Sequence, residues 1–499
     1  MAKLTSKDQE SPSSSQVGSE DLGRQAVKTM SHLGLAAGFS MAMGLFIRLL
    51  LPRALGRDAL GTLYFAESFS AMFFTVLPLG VTAYIVREIP VDHRQIKRIL
   101  PTLLPATGVW ACLIWLAMVT TLWFTNAEPT TIYCCGAMGV FNACIVFQRS
   151  ILRRAYVAKG ESARMARQET AIRLALVAMV VVCILIKSSV ITVAAAYGVS
   201  EVVGVMYLVW QARRDGYLSD GFDFDFLVKI VRQSLPFFAV GALVELYGNI
   251  NSTMLKFMVG TSEVAYFGAA DKLKGMGLLL VPVMQAGLQP ALAKAWGHDK
   301  AQFAAIVQHT VRILIVLSLP LTLGLMLLPD LVSDIIFGPE FHSSYRAVCY
   351  LAPVLTLTYL NVLMGSCLNI ISDGRRFMIM TAASLVMNVS LNYLLIPLAL
   401  ARWGDGGAAA GSALSMVVSE IFVLLAIRSI FPVAVNFSRV FRMLLILAIP
   451  CVAVGYFYDI MRTTPSVWRM FGVAVTPIYL MAFGLIERSD WQHIRKFKF

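Results

Sequence analysis

Residues 32–86 read HLGLAAGFSMAMGLFIRLLL, then PRALGRDA, then LGTLYFAESFSAMFFTVLPLGVTAYIV. An apolar run gives way to a short turn carrying Pro52, Gly56 and two arginines, and a second apolar run follows. A helix needs about 20 residues to cross the hydrocarbon of a bilayer, so the stretch predicts two antiparallel spans joined at the surface. The alternation continues and predicts fourteen spans: 32–51, 60–86, 99–124, 130–150, 170–186, 190–211, 234–258, 263–293, 310–328, 347–371, 377–400, 407–427, 441–459 and 468–486. Composition agrees. Of 499 residues, 58% are hydrophobic and 14% charged, with a mean hydropathy of +0.71; soluble chains hold about 45–50% and about 25%. The expected fold class is an all-α polytopic membrane protein, and the composition argues against a soluble enzyme, a disordered chain and a nucleic-acid binder.

The net charge of +13 follows from topology. With the N-terminus placed inside, 30 of the 42 Lys and Arg residues fall on inner segments and 8 on outer ones. Basic residues concentrate on cytoplasmic loops, so both termini are expected in the cytoplasm. The remaining four, Arg48, Arg173, Lys272 and Lys274, lie inside spans. Residues 1–29 are expected to form a disordered cytoplasmic tail, because a Ser-rich polar stretch opens the chain and no apolar run follows its first basic residues. The eight cysteines lie in apolar stretches without metal-ligand spacing and read as small core residues.

The chain compares with itself at an offset near 200. Leu55-Gly56-Arg57-Asp58 aligns with Val259-Gly260-Thr261-Ser262; at the same offset Glu67 falls on Asp271 and Pro78 on Pro282. Arg98-Ile99-Leu100 matches Arg312-Ile313-Leu314, Gly160 matches Gly374, and Ser200-Glu201 matches Ser419-Glu420. Six spans separate the copies, an even number, so the repeats share one orientation about an axis along the membrane normal. The expected organisation is a tail (1–29), two six-helix bundles related by a pseudo-two-fold axis (30–215 and 216–432), and two added helices with a basic cytoplasmic tail (433–499). A central cavity between the bundles is expected to be the transport site.

An ionisable group in hydrocarbon is costly and usually faces a cavity or a partner. Glu245, Asn249, Ser252 and Lys256 share one face of the seventh span; Asp271, Lys274, Gln285 and Gln289 share one face of the eighth; Thr381, Ser384, Asn388 and Asn392 do so on the eleventh. The alternative for the amides is helix–helix hydrogen bonding. In the first bundle Arg48, Glu67, Arg173 and Glu201 lie inside spans, the arginines close enough to the ends to reach the interface. Glu67 and Asp271, as repeat mates, are expected to face one central space, either coupling transport to protons or sodium or balancing Arg48 and Lys274. Walker A, HExxH and GxSxG patterns do not occur, so no cofactor or direct ATP drive is expected.

The stretch Arg48-Leu-Leu-Leu-Pro-Arg-Ala-Leu-Gly-Arg-Asp-Ala-Leu-Gly61 resembles the opening of polysaccharide-biosynthesis membrane proteins, which include flippases for O-antigen and exopolysaccharide repeat units. Gly80-Val-Thr-Ala-Tyr-Ile-Val-Arg-Glu88, Ser234-Leu-Pro-Phe237, Ala265-Tyr-Phe-Gly-Ala-Ala-Asp271, Gly374-Arg-Arg376 and Gly406-Gly-Ala-Ala-Ala-Gly411 carry the same resemblance across residues 30–430. It implies two six-helix bundles related to multidrug and toxin extrusion transporters, often with two added helices. It implies transfer of an undecaprenyl-diphosphate-linked oligosaccharide across a bacterial inner membrane by alternating access, with polysaccharide polymerase and chain-length regulator as further partners beside the lipid bilayer. The chain departs from the family at Ser252, where a cation often stands, with Lys256 one turn on. On this reading Arg48, Lys256 and Lys274 attract the diphosphate; Asn249, Asn388 and Asn392 contact the glycan; Glu67, Glu245 and Asp271 couple to ions or balance charge. The rivals are a cation-coupled multidrug exporter of the same fold, a peptidoglycan-precursor flippase, a membrane enzyme of glycan synthesis, which short outer loops disfavour, and a non-transporting scaffold.

Overall fold

The computed structural model describes residues 43–44, 46–47, 49–219, 221–279, 281–371, 375–430, 448–449, 451–458, 460 and 462–482. Arg48, the 1–29 tail and the end of the chain lie outside the described residues. Among these residues the chain is helical and without strands. We label α1 (Arg57–Phe74), α2 (Val81–Glu88), α3 (Ile96–Phe124), α4 (Pro129–Phe147), α5 (Arg153–Ala158), α6 (Ser162–Leu185), α7 (Val190–Arg214) and α8 (Phe224–Met258). There follow α9 (Thr261–Gly277), α10 (Val281–His298), α11 (Lys300–Leu327), α12 (Pro329–Ile336), α13 (Tyr345–Ile371), α14 (Arg375–Trp403), α15 (Gly407–Ile430) and α16 (Ser466–Ala482). Eight of the helical segments are long and apolar enough to span a membrane, and nine if the bent pair Phe224–Ser234 and Phe238–Met258 counts as one. The chain is a multi-pass membrane protein. Large apolar side chains such as Val109, Leu113, Leu116 and Trp123 stand exposed on α3, as a lipid-facing helix requires.

Loop chemistry sets where the helices begin. Asp223 caps α8 by accepting from the Phe226 N–H at 2.9 Å, and Arg98 reaches the same carboxylate at 2.7 Å. The Arg98 hydrogen bond and the Phe226 N–H hold the Asp223 carboxyl below its usual range. Asp299 caps α11, and Ser189 caps α7. The connections form two ends, called here the Asp223 end and the Asp405 end.

The largest core runs through both halves of the chain. It joins Leu60, Phe65 and Phe69 of α1 with Val264, Phe267 and Ala270 of α9, and with Val348 and Ala409 beyond. Contact between α1 and α9 requires Gly61: a Cβ there would lie 2.0 Å from the Thr261 carbonyl oxygen. A second core packs α11 against α13 and residues 451–458; a third holds α2, α3 and α5 at the Asp223 end.

Two predicted spans are broken, and the breaks correspond in the repeat. The second span ends as α1 at Phe74, passes through a turn and resumes as α2 at Val81; the eighth ends as α9 at Gly277 and resumes as α10 at Val281. Pro78 and Pro282, repeat mates by sequence, fall at these two places. Gly80 has a φ of +75°, and a Cβ there would lie 2.2 Å from the Ser234 carbonyl oxygen.

A deeper correspondence lies inside the halves. Glu201 on α7 is buried, and Gln148 Nε2 donates to both its carboxylate (2.8 Å) and its carbonyl (3.0 Å). Glu420 on α15 is buried, and Asn361 Nδ2 likewise donates to its carboxylate and its carbonyl. The repeat thus preserves a buried amide–carboxylate clasp as well as a hydropathy pattern. The partners differ: Arg173 stands 3.6 Å from Glu201, whereas among the described residues no cation lies within ion-pair distance of Glu420.

Candidate transport cavity

A cavity of about 1250 Å³ lies between the two breaks. Phe74, Thr75, Pro78 and Gly80 line it from the first break, and Gly275 and Leu279 from the second. Interrupted helices at matching positions of two repeats mark transporter binding sites, because an unwound backbone is tolerated only where it faces a cavity. The volume exceeds the roughly 300–1,000 Å³ of drug-sized pockets. Tyr64, Phe141, Tyr197 and Phe238 supply aromatic wall, and the charged lining is Glu67, Arg149, Arg154, Arg173, Glu245 and Lys272.

Glu67 and Lys272 meet across the cavity, Nζ to Oε2 at 2.8 Å, joining α1 to α9. Lys272 also lies over the Tyr64 ring at 5.2 Å. Asn142 donates to Ser70 Oγ at 2.7 Å beside them. Glu245 lines the opposite wall from α8.

At the Asp405 end the halves are locked together. Arg57 donates to Tyr266 Oη at 2.8 Å, and that hydroxyl donates to Asp405 at 2.7 Å. The Arg57 N–H reaches Glu340, and Arg53 donates to the Ile335 carbonyl. The Glu263 carboxylate accepts from Gly406 N (2.7 Å) and Ala409 N (2.8 Å), so α9 satisfies the open N–H groups at the start of α15. The cavity lining reaches Val86 and Arg154 toward the Asp223 end.

Of the residues singled out by sequence, the structure brings Glu67, Arg173 and Glu245 to the cavity. Lys274 and Asp271 pair with each other at 2.6 Å, and neither belongs to the cavity lining. The lysine that lines the cavity is Lys272, because neighbouring positions on a helix face about 100° apart. Lys256 lies outside the lining. Asn249 donates to the Glu245 carbonyl one turn back at 2.9 Å. Asn388 and Asn392 are fully buried away from the cavity: Asn392 Nδ2 donates to Asn251 Oδ1 (2.7 Å) and to Asn388 Oδ1 (3.1 Å), and Ser412 donates to the same Asn251 oxygen. These amides join α8, α14 and α15 by the helix–helix bonding that was the alternative for them. Asn251→Ala is therefore expected to leave Ser412 without this acceptor and Asn392 with Asn388 alone, and to cost about 1–2 kcal/mol. Thermal unfolding in detergent checks this, with the exposed Ser390→Ala as the neutral control.

Sequence reasoning assigned Arg149 and Arg154 to a loop and left Gln148 and Asn142 unread. The structure continues this helix past the apolar run, through Pro129–Ala158, which carries both arginines onto it.

The sequence pattern of the family described as "Polysaccharide biosynthesis protein" matches residues 26–296, more than half of the chain. The chain belongs to the polysaccharide biosynthesis protein family. Among relatives of this family member, "Probable low-salt glycan biosynthesis flippase Agl15" of Haloferax volcanii is 21% identical over 196 residues, covering 39% of this chain and 40% of that protein. "Putative O-antigen transporter" of Shigella dysenteriae is 30% identical over 130 residues, covering 26% and 32%. The alignments thus span well under half of either relative. In fold, the family member is similar to "Lipid II flippase MurJ, inward closed conformation", with a TM-score of 0.66 at 12% identity over 91% of this chain and 97% of that one. It is also similar to an inward-facing multidrug resistance MATE family transporter, with a TM-score of 0.62 at 17% identity, covering 78% and 94%.

Proposed function

We propose that this polysaccharide biosynthesis protein is a flippase that carries undecaprenyl-diphosphate-linked oligosaccharide units across the bacterial inner membrane by alternating access, for O-antigen, capsule or exopolysaccharide synthesis. The observation that supports it most is the cavity: larger than a drug pocket, lined by both charge signs and by aromatic rings, and placed at two repeat-related helix breaks. Such a lining suits a cargo that combines an anionic diphosphate with a polar glycan. The Asp405 end is the outer one on this reading, so the lock at Arg57, Tyr266 and Asp405 makes the described state closed to the outside. Glu67 and Glu245, on the cavity wall, are the proposed coupling carboxylates for protons or sodium, and Asp271 balances Lys274. Arg48 stays in the proposal on its sequence position alone.

Deleting the gene is expected to abolish the surface polysaccharide and to accumulate its lipid-linked precursor on the inner leaflet. Lys272→Met is expected to leave the stability within about 1 kcal/mol of wild type, as partly exposed pairs do, while failing to restore the polysaccharide. Normal polysaccharide in the deletion strain with altered drug resistance points instead to the multidrug-exporter reading.

A further inference from the structure

The helix carrying Arg149 and Arg154 is not a plain α-helix. Between α4 and α5, residues Gln148–Leu152 form one π turn. In an α-helix, residues five apart point about 140° away from each other. A π turn closes its hydrogen bonds at i→i+5 and brings such residues onto one face. Two five-spaced pairs result. Gln148 and Arg153 turn inward, and Arg153 donates to Gln148 Oε1 at 3.0 Å. Arg149 and Arg154 both line the cavity.

The inward pair is anchored. Gln148 holds Glu201, and Arg153 pairs with Glu169 at 3.1 Å. Arg173, from α6, takes the remaining side of Glu201. Two carboxylates therefore match two of the four guanidiniums. Among the described residues Arg149 and Arg154 have no ion-pair partner within contact distance, and Arg149 feels the like charges of Arg173 and Arg153 as well as the more distant carboxylates Glu169 and Glu201. Both face the open cavity, where solvent screens them, but four guanidiniums against two carboxylates leave a net positive wall, and a mobile anion that brings about two negative charges offsets the residual repulsion.

We propose that the π turn is a diphosphate-binding station, with Arg149 and Arg154 as the paired forks for the phosphate oxygens. Arg suits this because its planar guanidinium gives two parallel hydrogen bonds to one phosphate. Gln148 and Arg153 are positioning residues that fix the turn. The inference rests on the reading of the cargo as a lipid diphosphate, and it locates the anion on the fourth span rather than at Lys256 or Lys274.

The test uses the purified full chain in detergent, with geranylgeranyl diphosphate as the probe and geranylgeranyl monophosphate and phosphatidylglycerol as competitors. Wild-type protein is expected to bind the diphosphate saturably. Arg149→Ala or Arg154→Ala should each weaken binding about tenfold, and the double variant about a hundredfold, since a charge-assisted hydrogen bond contributes roughly 1.5–3 kcal/mol. Arg149→Lys should retain part of the affinity, and Arg214→Ala, outside the cavity lining, all of it. The unliganded double variant should unfold at or above the wild-type midpoint, because its loss removes repulsion. Undiminished binding by the double variant, or equal displacement by the monophosphate or phosphatidylglycerol, overturns the assignment. Intact surface polysaccharide in a deletion strain, with diphosphate binding lost in the double variant, sinks the transport reading and leaves the site standing. Lost polysaccharide with unchanged binding does the reverse.

Discussion

Arg469→Ala is expected to destabilise the protein by about 3–5 kcal/mol and to free the last described helix from the rest of the molecule. Arg469 on α16 is buried, and it grips Asp330 on α12 with two parallel bonds, Nη1–Oδ1 at 2.7 Å and Nη2–Oδ2 at 3.0 Å. Its Nη1 also reaches the Leu327 carbonyl at 3.3 Å. Removing one member of such a pair leaves the other charge buried and unmatched, which is what makes the loss large. Replacing both by apolar residues of similar size, as in Arg469→Met with Asp330→Leu, is expected to recover most of the loss. Arg469→Lys should fall between, since an ammonium cannot reproduce the fork. Thermal unfolding in detergent and protease cleavage near residues 462–466 report the two effects. A single variant as stable as wild type would show that the helix is held by packing alone. The pH dependence has a defined sign. Burial pushes the Asp330 carboxyl up, but the Arg469 hydrogen bond and the Leu331 N–H bring it below its usual value. The pair's contribution is therefore complete above the unfolded value near about pH 4. It is lost only as the pH falls through the lowered one.

Gly61→Ala is expected to hold the Asp405 end open. The added methyl would meet the Thr261 backbone carbonyl at 2.0 Å, and neither backbone yields easily. Overpacking of this kind costs about 1–3 kcal/mol. On the proposed alternating-access reading α1 and α9 belong to the two halves that part, so the cost falls on the closed state more than on the opened one. The equilibrium should shift about tenfold or more toward opening. Cysteines introduced at Arg53 and Ile335, which are bridged by the Arg53 side chain in the closed state, should be joined readily by a short bifunctional maleimide in the parent and poorly with Gly61→Ala. Gly108→Ala is the control, since a Cβ there meets nothing within 4 Å. Equal cross-linking in all three would remove this contact from the closing surface.

Much of the architecture was legible because lipid imposes a simple rule. A spanning segment must be long, apolar and internally hydrogen-bonded, and eight helices of the described chain meet that requirement. The repeat was legible too, and the structure adds meaning to its scattered matches. Pro78 and Pro282 fall at the two helix breaks, and Glu201 and Glu420 are the two clasped carboxylates. The site was harder to read. A stripe of polar residues says that a helix face avoids lipid, but a buried amide cluster and an open cavity satisfy it equally. Asn388 and Asn392 went to the first, Glu67 and Glu245 to the second.

Length, hydropathy and residue order along the chain were enough for the membrane class and the family, because both are written locally. The tertiary structure decided which charges face the cavity. That choice depends on rotations of a single residue. Lys272 rather than Lys274 lines the wall because helix positions two apart point to different sides. Arg149 and Arg154 come onto one face through a π turn that no hydropathy pattern records.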